Sequence, residues 1–494
     1  MTFDFQSEQL RDLLYQASDI VVRLYSDADD KPIVPRMSPS EVQGYFEEPL
    51  PVAPQDISAL LERVENEVFG AATLSIGPRY LAHVMSGGNQ VGILAELLAA
   101  ALDQNCTLGS IAPSAAEIER RVIAWIAEFI GYPSDSGGVI VSGGSMANLT
   151  GLTVARKVKA PFDVSNDGLG AGPPLTVYIS TEGHSCHDKS VDMLGLGKNQ
   201  LRKIPVKDDF TIDVDKLEEQ IGQDKADGFL PICVVANGGT ANCGAVDPLD
   251  TLADICSKND LWLHVDAAYG GPAAATDIAR DLFKGIDDAD SIALDPHKWL
   301  YAPFEAGCAL VKNLELLRDT FSLVPDYLRR EADKAGLFNF MEYSFQLSRS
   351  FKALKIWMAF KAYGAEMLRA AIQDNITTMR HLADLIDQSD DFELLAPVPL
   401  SAVCFRYRTE NPQYHDDEGY LSLLNKEILD AVAKDGRVYI AGTTIQGKAA
   451  LRACCTNHRT QPSDVEYLVA VLRELGSGIH QSHHQQGAIP RSAL

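Results

Sequence analysis

A lysine that follows a buried strand is placed to react with a carbonyl, and Lys298 is such a lysine. It lies in Asp295-Pro296-His297-Lys298-Trp299, directly after the apolar run Ser291–Leu294. Desolvation lowers the pKa of an amine and makes it a better nucleophile towards an aldehyde; the bland alternative is a lysine that snorkels to solvent. Asp266 ends a second apolar run, Leu261–Val265, and opens Asp266-Ala267-Ala268-Tyr269-Gly270-Gly271. A carboxylate there is costly to bury unless a cation meets it. It is either a helix N-cap or the partner of a protonated ring nitrogen, and Ala268 beside it leaves room for a flat ring. His184 follows the run Leu175–Ser180, in Thr181-Glu182-Gly183-His184-Ser185-Cys186-His187. A lone loop histidine is more often structural than functional. After Gly138–Val141 comes Ser142-Gly143-Gly144-Ser145 and then an apolar helical stretch. The glycines allow close backbone approach, and N–H groups opening a helix face an anion. A plain connecting turn is the alternative, and the segment is neither a dinucleotide fingerprint nor a nucleotide P-loop.

Each signal is weak alone. Together they make a phosphate cradle, a stacking histidine, a carboxylate for a ring nitrogen and an aldehyde-reactive lysine, which are the functions that pyridoxal 5'-phosphate (PLP) requires of a protein. The elements that must position them are strands. The four runs, with Ile232–Ala236 and Cys308–Lys312, are apolar on both faces, as in a mostly parallel sheet with helices on either side. Chemistry in such sheets gathers at the carboxyl ends of the strands. Residues 91–365 are assigned to this large domain, 366–476 to a smaller α+β domain and 1–90 to an N-terminal helical arm packed on a partner subunit. Residues 477–494 are expected to form a loose tail whose His480, His483 and His484 are solvated, with no metal site. Val91–Leu102, interrupted by Glu96, is too short to cross a membrane and predicts a buried core helix. Ser114-x-x-Glu117 fits a capping box ahead of Ile118, Val122, Trp125 and Phe129 at helical spacing.

Composition narrows the classes of partner. The 494 residues include 68 acidic and 43 basic side chains, a net charge of −25 that repels nucleic-acid phosphates and anionic lipid surfaces. A hydrophobic fraction of 46% with 22% charged residues suits a soluble globular protein. The nine cysteines include no Cys-x-x-Cys pair, and the start MTFDFQSEQL lacks the pattern of a secretory signal. Reduced thiols in a cytoplasmic protein are the expectation.

From about Pro78 to Leu472 the chain resembles the group II PLP-dependent amino-acid decarboxylases, which include aromatic-amino-acid, histidine and glutamate decarboxylases. LWLHVDAAYGG (261–271) and SIALDPHKWL (291–300) carry the likeness, with 32 residues from Asp266 to Lys298. The resemblance implies an α/β fold of the fold-type I aminotransferase class, with a smaller C-terminal α+β domain, and a homodimer with its site at the subunit interface. It implies that Lys298 forms a Schiff base with PLP, that Asp266 pairs with the pyridinium nitrogen and that His184 stacks on the ring beside Ala268. Gly144, Ser145 and Asp295 would meet the phosphate, and His297 the substrate carboxylate. Thr240 would lie near the ring, although the family often has a second threonine where this chain has Ala241. The family often has asparagine at position 295; an aspartate must accept hydrogen bonds from neighbours or tolerate the phosphate. Phe321–Tyr327 resembles the family's catalytic loop, with Tyr327 acting in the partner's site. His83, Asn105, Thr107, Phe304 and Ser348 are the candidates for the substrate pocket. Phe304 favours an aromatic L-amino acid, Asn105 looks closer to the glutamate branch and Ser348 matches the histidine branch. The rival functions are decarboxylation of a non-aromatic amino acid, a decarboxylating aldehyde synthase, against which Tyr327 argues, and a non-catalytic PLP-fold protein.

Overall fold

The structure, a computed structural model, describes residues 3–29, 31–323, 336–409, 411–412 and 414–485. Strand β1 (Tyr80–Leu81) precedes a seven-stranded sheet made of β2 (Gly137–Val141), β3 (Leu175–Ser180), β4 (Leu201–Ile204), β5 (Leu230–Asn237), β6 (Trp262–Asp266), β7 (Ser291–Leu294) and β8 (Gly307–Val311). The order is β2-β8-β7-β6-β5-β3-β4. Only β8 runs against its neighbours β2 and β7. The runs read as strands are strands, and their two-faced apolarity has a direct cause. Alternate residues enter different cores: Val234, Ala236, Leu263 and Val265 belong to one, Cys233, Val235 and Trp262 to the other. β4 was not expected, because Arg202 and Lys203 make it a polar edge strand with only Leu201 and Ile204 buried. The helix Gly144–Lys159 lies across β5, β6, β7 and β8, and Pro113–Phe129 packs on β2 and β8.

The smaller domain has a five-stranded sheet in the order β1-β11-β12-β10-β9, with β9 (Phe392–Leu394), β10 (Ala402–Tyr407), β11 (Tyr439–Ile445) and β12 (Lys448–Cys454). Its helices enclose a core of its own. β1 pairs in parallel with β11, so residues 80–81, read as part of the arm, complete this sheet. The boundary read at 365/366 falls within the helix Ala353–Asp387, one residue past a break at Gly364 (φ 73°, ψ 160°).

Three local expectations are corrected. No capping box forms at Ser114: Pro113 occupies the first helical position after Ala112, no side chain caps the helix, and Glu117 instead pairs with Arg120 at 2.9 Å. The helix Gln90–Leu102 is not a buried core helix, since only Gly92 and Ala95 are buried while Leu94, Leu97, Leu98 and Leu102 are each more than half exposed. Residues 477–485 of the expected tail continue the helix Pro462–Gln485, and residues 486–494 lie outside the described residues. His480 accounts for part of that order, because it meets Tyr420 Oη at 2.6 Å and Thr409 Oγ1 at 3.0 Å, and His483 lies 2.8 Å from Glu427.

Candidate active site

β2, β3, β5, β6 and β7 all point their carboxyl ends at one cavity of about 490 Å³. Nine of the predicted site residues line it: Lys298, Asp266 and His184, the cradle residues Gly144 and Ser145, and also Thr240, Ala268, Asp295 and His297. Lys298 is carried by a single helical turn, Pro296–Trp299, that starts right after β7. Its Nζ lies 3.0 Å from Asp295 Oδ2. The expectation of a depressed lysine pKa is corrected here. Burial does push it down, but Asp295 and then Asp266 outweigh burial and raise it. The amine therefore waits as an ammonium and must lose a proton before it can act as a nucleophile.

Asp266 is the last residue of β6 and is buried. Burial would raise its pKa, yet the hydrogen bond from His187 and the nearby Lys298 charge hold it below the usual carboxylate range. Its Oδ1 accepts from the Ala268 N–H at 3.2 Å and its Oδ2 lies 2.9 Å from His187 Nε2. It is not a helix N-cap. His184 Nδ1 accepts from the Cys186 N–H at 3.2 Å, which fixes the ring on an otherwise exposed loop residue. Thr240 Oγ1 accepts from the Ala245 N–H at 3.1 Å, so its hydroxyl is partly committed to its own loop. His297 Nδ1 contacts the Ala306 carbonyl at 2.8 Å, and burial lowers the pKa of its ring.

The cavity suits PLP on two observations. A Cβ on Gly144 would come 2.7 Å from Asp295 Oδ2 and 2.9 Å from the Ala268 methyl, so only glycine leaves the helix entrance open. Gly307 of β8 is equally constrained, since a Cβ there would lie 2.5 Å from the Gly143 backbone and displace the cradle. The first-turn N–H groups of the helix Gly144–Lys159 thus face the cavity as a phosphate site. At the other side stands a buried carboxylate, Asp266, of the kind a pyridinium nitrogen requires. Asp295 Oδ1 is buried without a hydrogen-bond partner.

The five substrate-pocket candidates do not join this cavity within one chain. Asn105, Phe304 and Ser348 line a second cavity of about 690 Å³ with Glu96, Lys352 and Lys355. Phe304 links the two, its ring centroid 4.3 Å from that of His297. His83 is exposed and meets Tyr439 edge-on at 6.2 Å, although its neighbour Val84 lines the first cavity. Thr107 is buried with an unpartnered hydroxyl. Tyr327 lies outside the described residues.

Sequence reasoning passed over His187, Cys186, Asn148, Asn237 and His264. The signal for His264 was present, because it precedes Asp266 by two residues and so shares its face of β6. Its ring meets Ser291 Oγ and Asn148 Oδ1, each at 2.8 Å. His187 has no such signal, because only tertiary packing carries the start of the helix Cys186–Met193 to the end of β6.

Comparison with known proteins gives this arrangement its relatives. A family model described as the pyridoxal-dependent decarboxylase conserved domain matches residues 39–408. An aromatic-L-amino-acid decarboxylase of Bacillus atrophaeus is 34% identical over 478 residues, covering 97% of each chain. A phenylacetaldehyde synthase of Arabidopsis thaliana is 29% identical, covering 95% of this chain and 96% of the other. The crystal structure of Oryza sativa TDC with PLP and tryptamine superposes with a TM-score of 0.91 at 26% identity, over 97% of this chain and 100% of that one.

Proposed function

The chain belongs to the pyridoxal-dependent decarboxylase family, and from that premise we propose that it converts an aromatic L-amino acid to the corresponding amine and CO₂. It is a PLP-dependent carboxy-lyase with an α/β fold of the fold-type I class. The observation that carries the proposal is the convergence of Lys298, Asp266, His184 and the Gly144 helix entrance on one cavity. The aromatic choice is supported by the Bacillus relative and by Phe304, whose ring lies tilted against that of His297 at 4.3 Å.

Bound PLP supplies an aldehyde that takes up an amine and a protonated ring that accepts the electron pair left as CO₂ departs. The chain's own groups would do the rest. Lys298 Nζ would provide the holding amine, positioned by Asp295 Oδ2 at 3.0 Å. Asp266 keeps a proton on the ring nitrogen by presenting a carboxylate to it. His184 would pack against the ring, and the N–H groups of Gly144 and Ser145 would hold the phosphate. His297 remains neutral and orients the substrate carboxylate. Tyr327 delivers a proton to the substrate Cα.

The working unit in this reading is a cytoplasmic homodimer. It is supported by the exposed leucines of the helix Gln90–Leu102 and by the separation of Asn105, Phe304 and Ser348 from the first cavity. Nine free, buried cysteines suit a reducing compartment. No helix among the described residues is long and apolar enough to cross a membrane.

The test is to incubate PLP-loaded protein with L-tryptophan, L-tyrosine, L-phenylalanine, 3,4-dihydroxyphenylalanine, L-histidine and L-glutamate, and to measure CO₂ and amine. Amine from the aromatic set is expected. A preference for L-glutamate or L-histidine overturns the substrate class. Aldehyde, ammonia and peroxide in place of amine would favour the synthase reading suggested by the Arabidopsis relative.

A further inference from the structure

Asp266 is held from its protein side by His187, a residue that does not line the cavity. The His187 side chain is fully buried, and its Nε2 lies 2.9 Å from Asp266 Oδ2. Its other ring nitrogen, Nδ1, is buried without a hydrogen-bond partner in the structure. The Cys186 sulfur completes a cluster in which one ligand-type atom from each of Cys186, His187 and Asp266 lies within 4.8 Å of the others. Asn148 Nδ2 donates to Cys186 Sγ at 3.5 Å. A hydrophobic residue would fill the position of His187 equally well by volume, but it would leave the buried carboxylate with only the more distant Lys298 ammonium as counter-charge until a cofactor arrived.

We propose that His187 is a positioning residue that acts through Asp266, its imidazolium keeping that carboxylate ionised and aimed at the ring nitrogen of the cofactor. The inference rests on the PLP-dependent reading above and adds a charged group to it. With the cofactor bound, Asp266 would lie between two cations, one from the protein and one from the ligand. Its charge is then never unpaired, whether the site is empty or full.

The electrostatics around the ring agree with the geometry. Burial disfavours an imidazolium, but the hydrogen bond to Asp266 and the nearby Cys186 sulfur outweigh burial and raise the His187 pKa to about 9. Burial also opposes the Cys186 thiolate, but its contacts with His184 and His187 win and lower that pKa to about 7. His264, whose ring centroid is 6.3 Å from that of His187, is driven down to about 3 by burial and is neutral, so it does not compete for the charge. Lys298 is the remaining cation facing Asp266. Neutral His264, charged His187 and ionised Asp266 form a consistent set at neutral pH.

The test compares PLP-loaded wild type with His187→Leu, which loses both bond and charge, and His187→Gln, which can keep an N–H donor but not the charge. The readouts are the PLP dissociation constant, the pH dependence of the bound cofactor's visible absorbance, and kcat and KM separately. His187→Leu is expected to hold PLP at least about tenfold more weakly. It should also lose kcat with little change in KM, because Asp266 does not bind substrate. His187→Gln should fall between the two. Wild-type PLP affinity and pH profile in His187→Gln would overturn the requirement for charge, and the same result in His187→Leu would overturn the role altogether. If His187→Leu fails to fold, ¹⁵N-histidine spectra of wild type and His187→Gln decide the matter. One ring should remain doubly protonated well above neutral pH and be missing from the variant; every ring neutral at pH 7 would reject the proposal. PLP binding is measured without substrate, so a wrong substrate class leaves this test intact.

Discussion

Asp266 is the residue on which the proposed chemistry turns, and its surroundings make two predictions. Asp266→Asn keeps the shape but removes the charge, and so should lower kcat by on the order of 100-fold or more. PLP should also dissociate faster, which absorbance after gel filtration would reveal. The pH dependence follows from two titrations. The Asp266 pKa is held below its ordinary 3.8, so its contribution is present above that value and is lost as pH falls through the lowered one. The His187 pKa is raised from 6.5 to about 9, so its contribution is complete below 6.5 and is lost as pH rises through about 9. In the folded protein His187 loses its proton around pH 9, so wild-type PLP affinity should decline as pH rises through about 9. The comparison is cleanest in a Cys186→Ser background, where the thiol that titrates near 7 is removed, and there the decline should be absent from His187→Gln. Tyr327→Phe tests the proton donor: amine yield should fall while aldehyde and peroxide rise. An unchanged amine yield would reject the role.

At the scale of elements, the strand ends were legible and the helix ends less so. β3 and β7 match their apolar runs to the residue, because continuous burial leaves no ambiguity about which residues are inside. The box at Ser114 failed because Pro113, a residue with its own positional preference, took the first helical place. What fixes the Lys298 turn is not local at all. Trp299 Nε1 and Tyr301 Oη both donate to Asn375 Oδ1 at 3.0 Å, and Asn375 Nδ2 donates to the Asn457 carbonyl at 2.9 Å. The long helix Ala353–Asp387 thereby ties the Lys298 turn to the small domain. Asn375→Ala leaves the Trp299 and Tyr301 donors buried without partners, at about 1–3 kcal/mol for each unsatisfied group, while the Asn457 carbonyl still accepts from the Thr460 N–H at 3.2 Å. A lower urea midpoint together with weaker PLP retention is expected; a stable variant with altered kcat alone would contradict this account.

For the whole molecule, the exposed apolar stripe on the helix Gln90–Leu102 is the feature that one chain leaves unexplained. Leu94, Leu98 and Leu102 recur every four residues and are 56%, 55% and 53% exposed. Ile111, beyond the end of that helix, is 50% exposed. Such a patch is characteristic of an interface. Leu94→Glu combined with Leu98→Glu should yield a monomer by light scattering and should abolish activity, because the residues of the second cavity would no longer meet a partner's site. A mass and activity equal to wild type would remove the dimer from the account.

By itself the sequence determined the α/β class of the fold, most of its large-sheet strands and the reactive loops at their ends, and it singled out Lys298, Asp266, His184 and the Gly144 entrance as candidates. These are local consequences of burial and backbone freedom: a strand buried on both faces must be apolar, and a reactive residue at its end breaks that pattern visibly. Only the tertiary structure decided how those groups are charged. Lys298 was expected to have a lowered pKa and instead meets Asp295; Asp266 was expected to wait for a ligand and instead already holds His187. Both outcomes depend on charges brought together across 3 and 79 residues of chain. At 79 residues apart, neither periodicity nor motif spacing registers the contact, because the Coulomb energy depends on the folded distance and the water excluded around it.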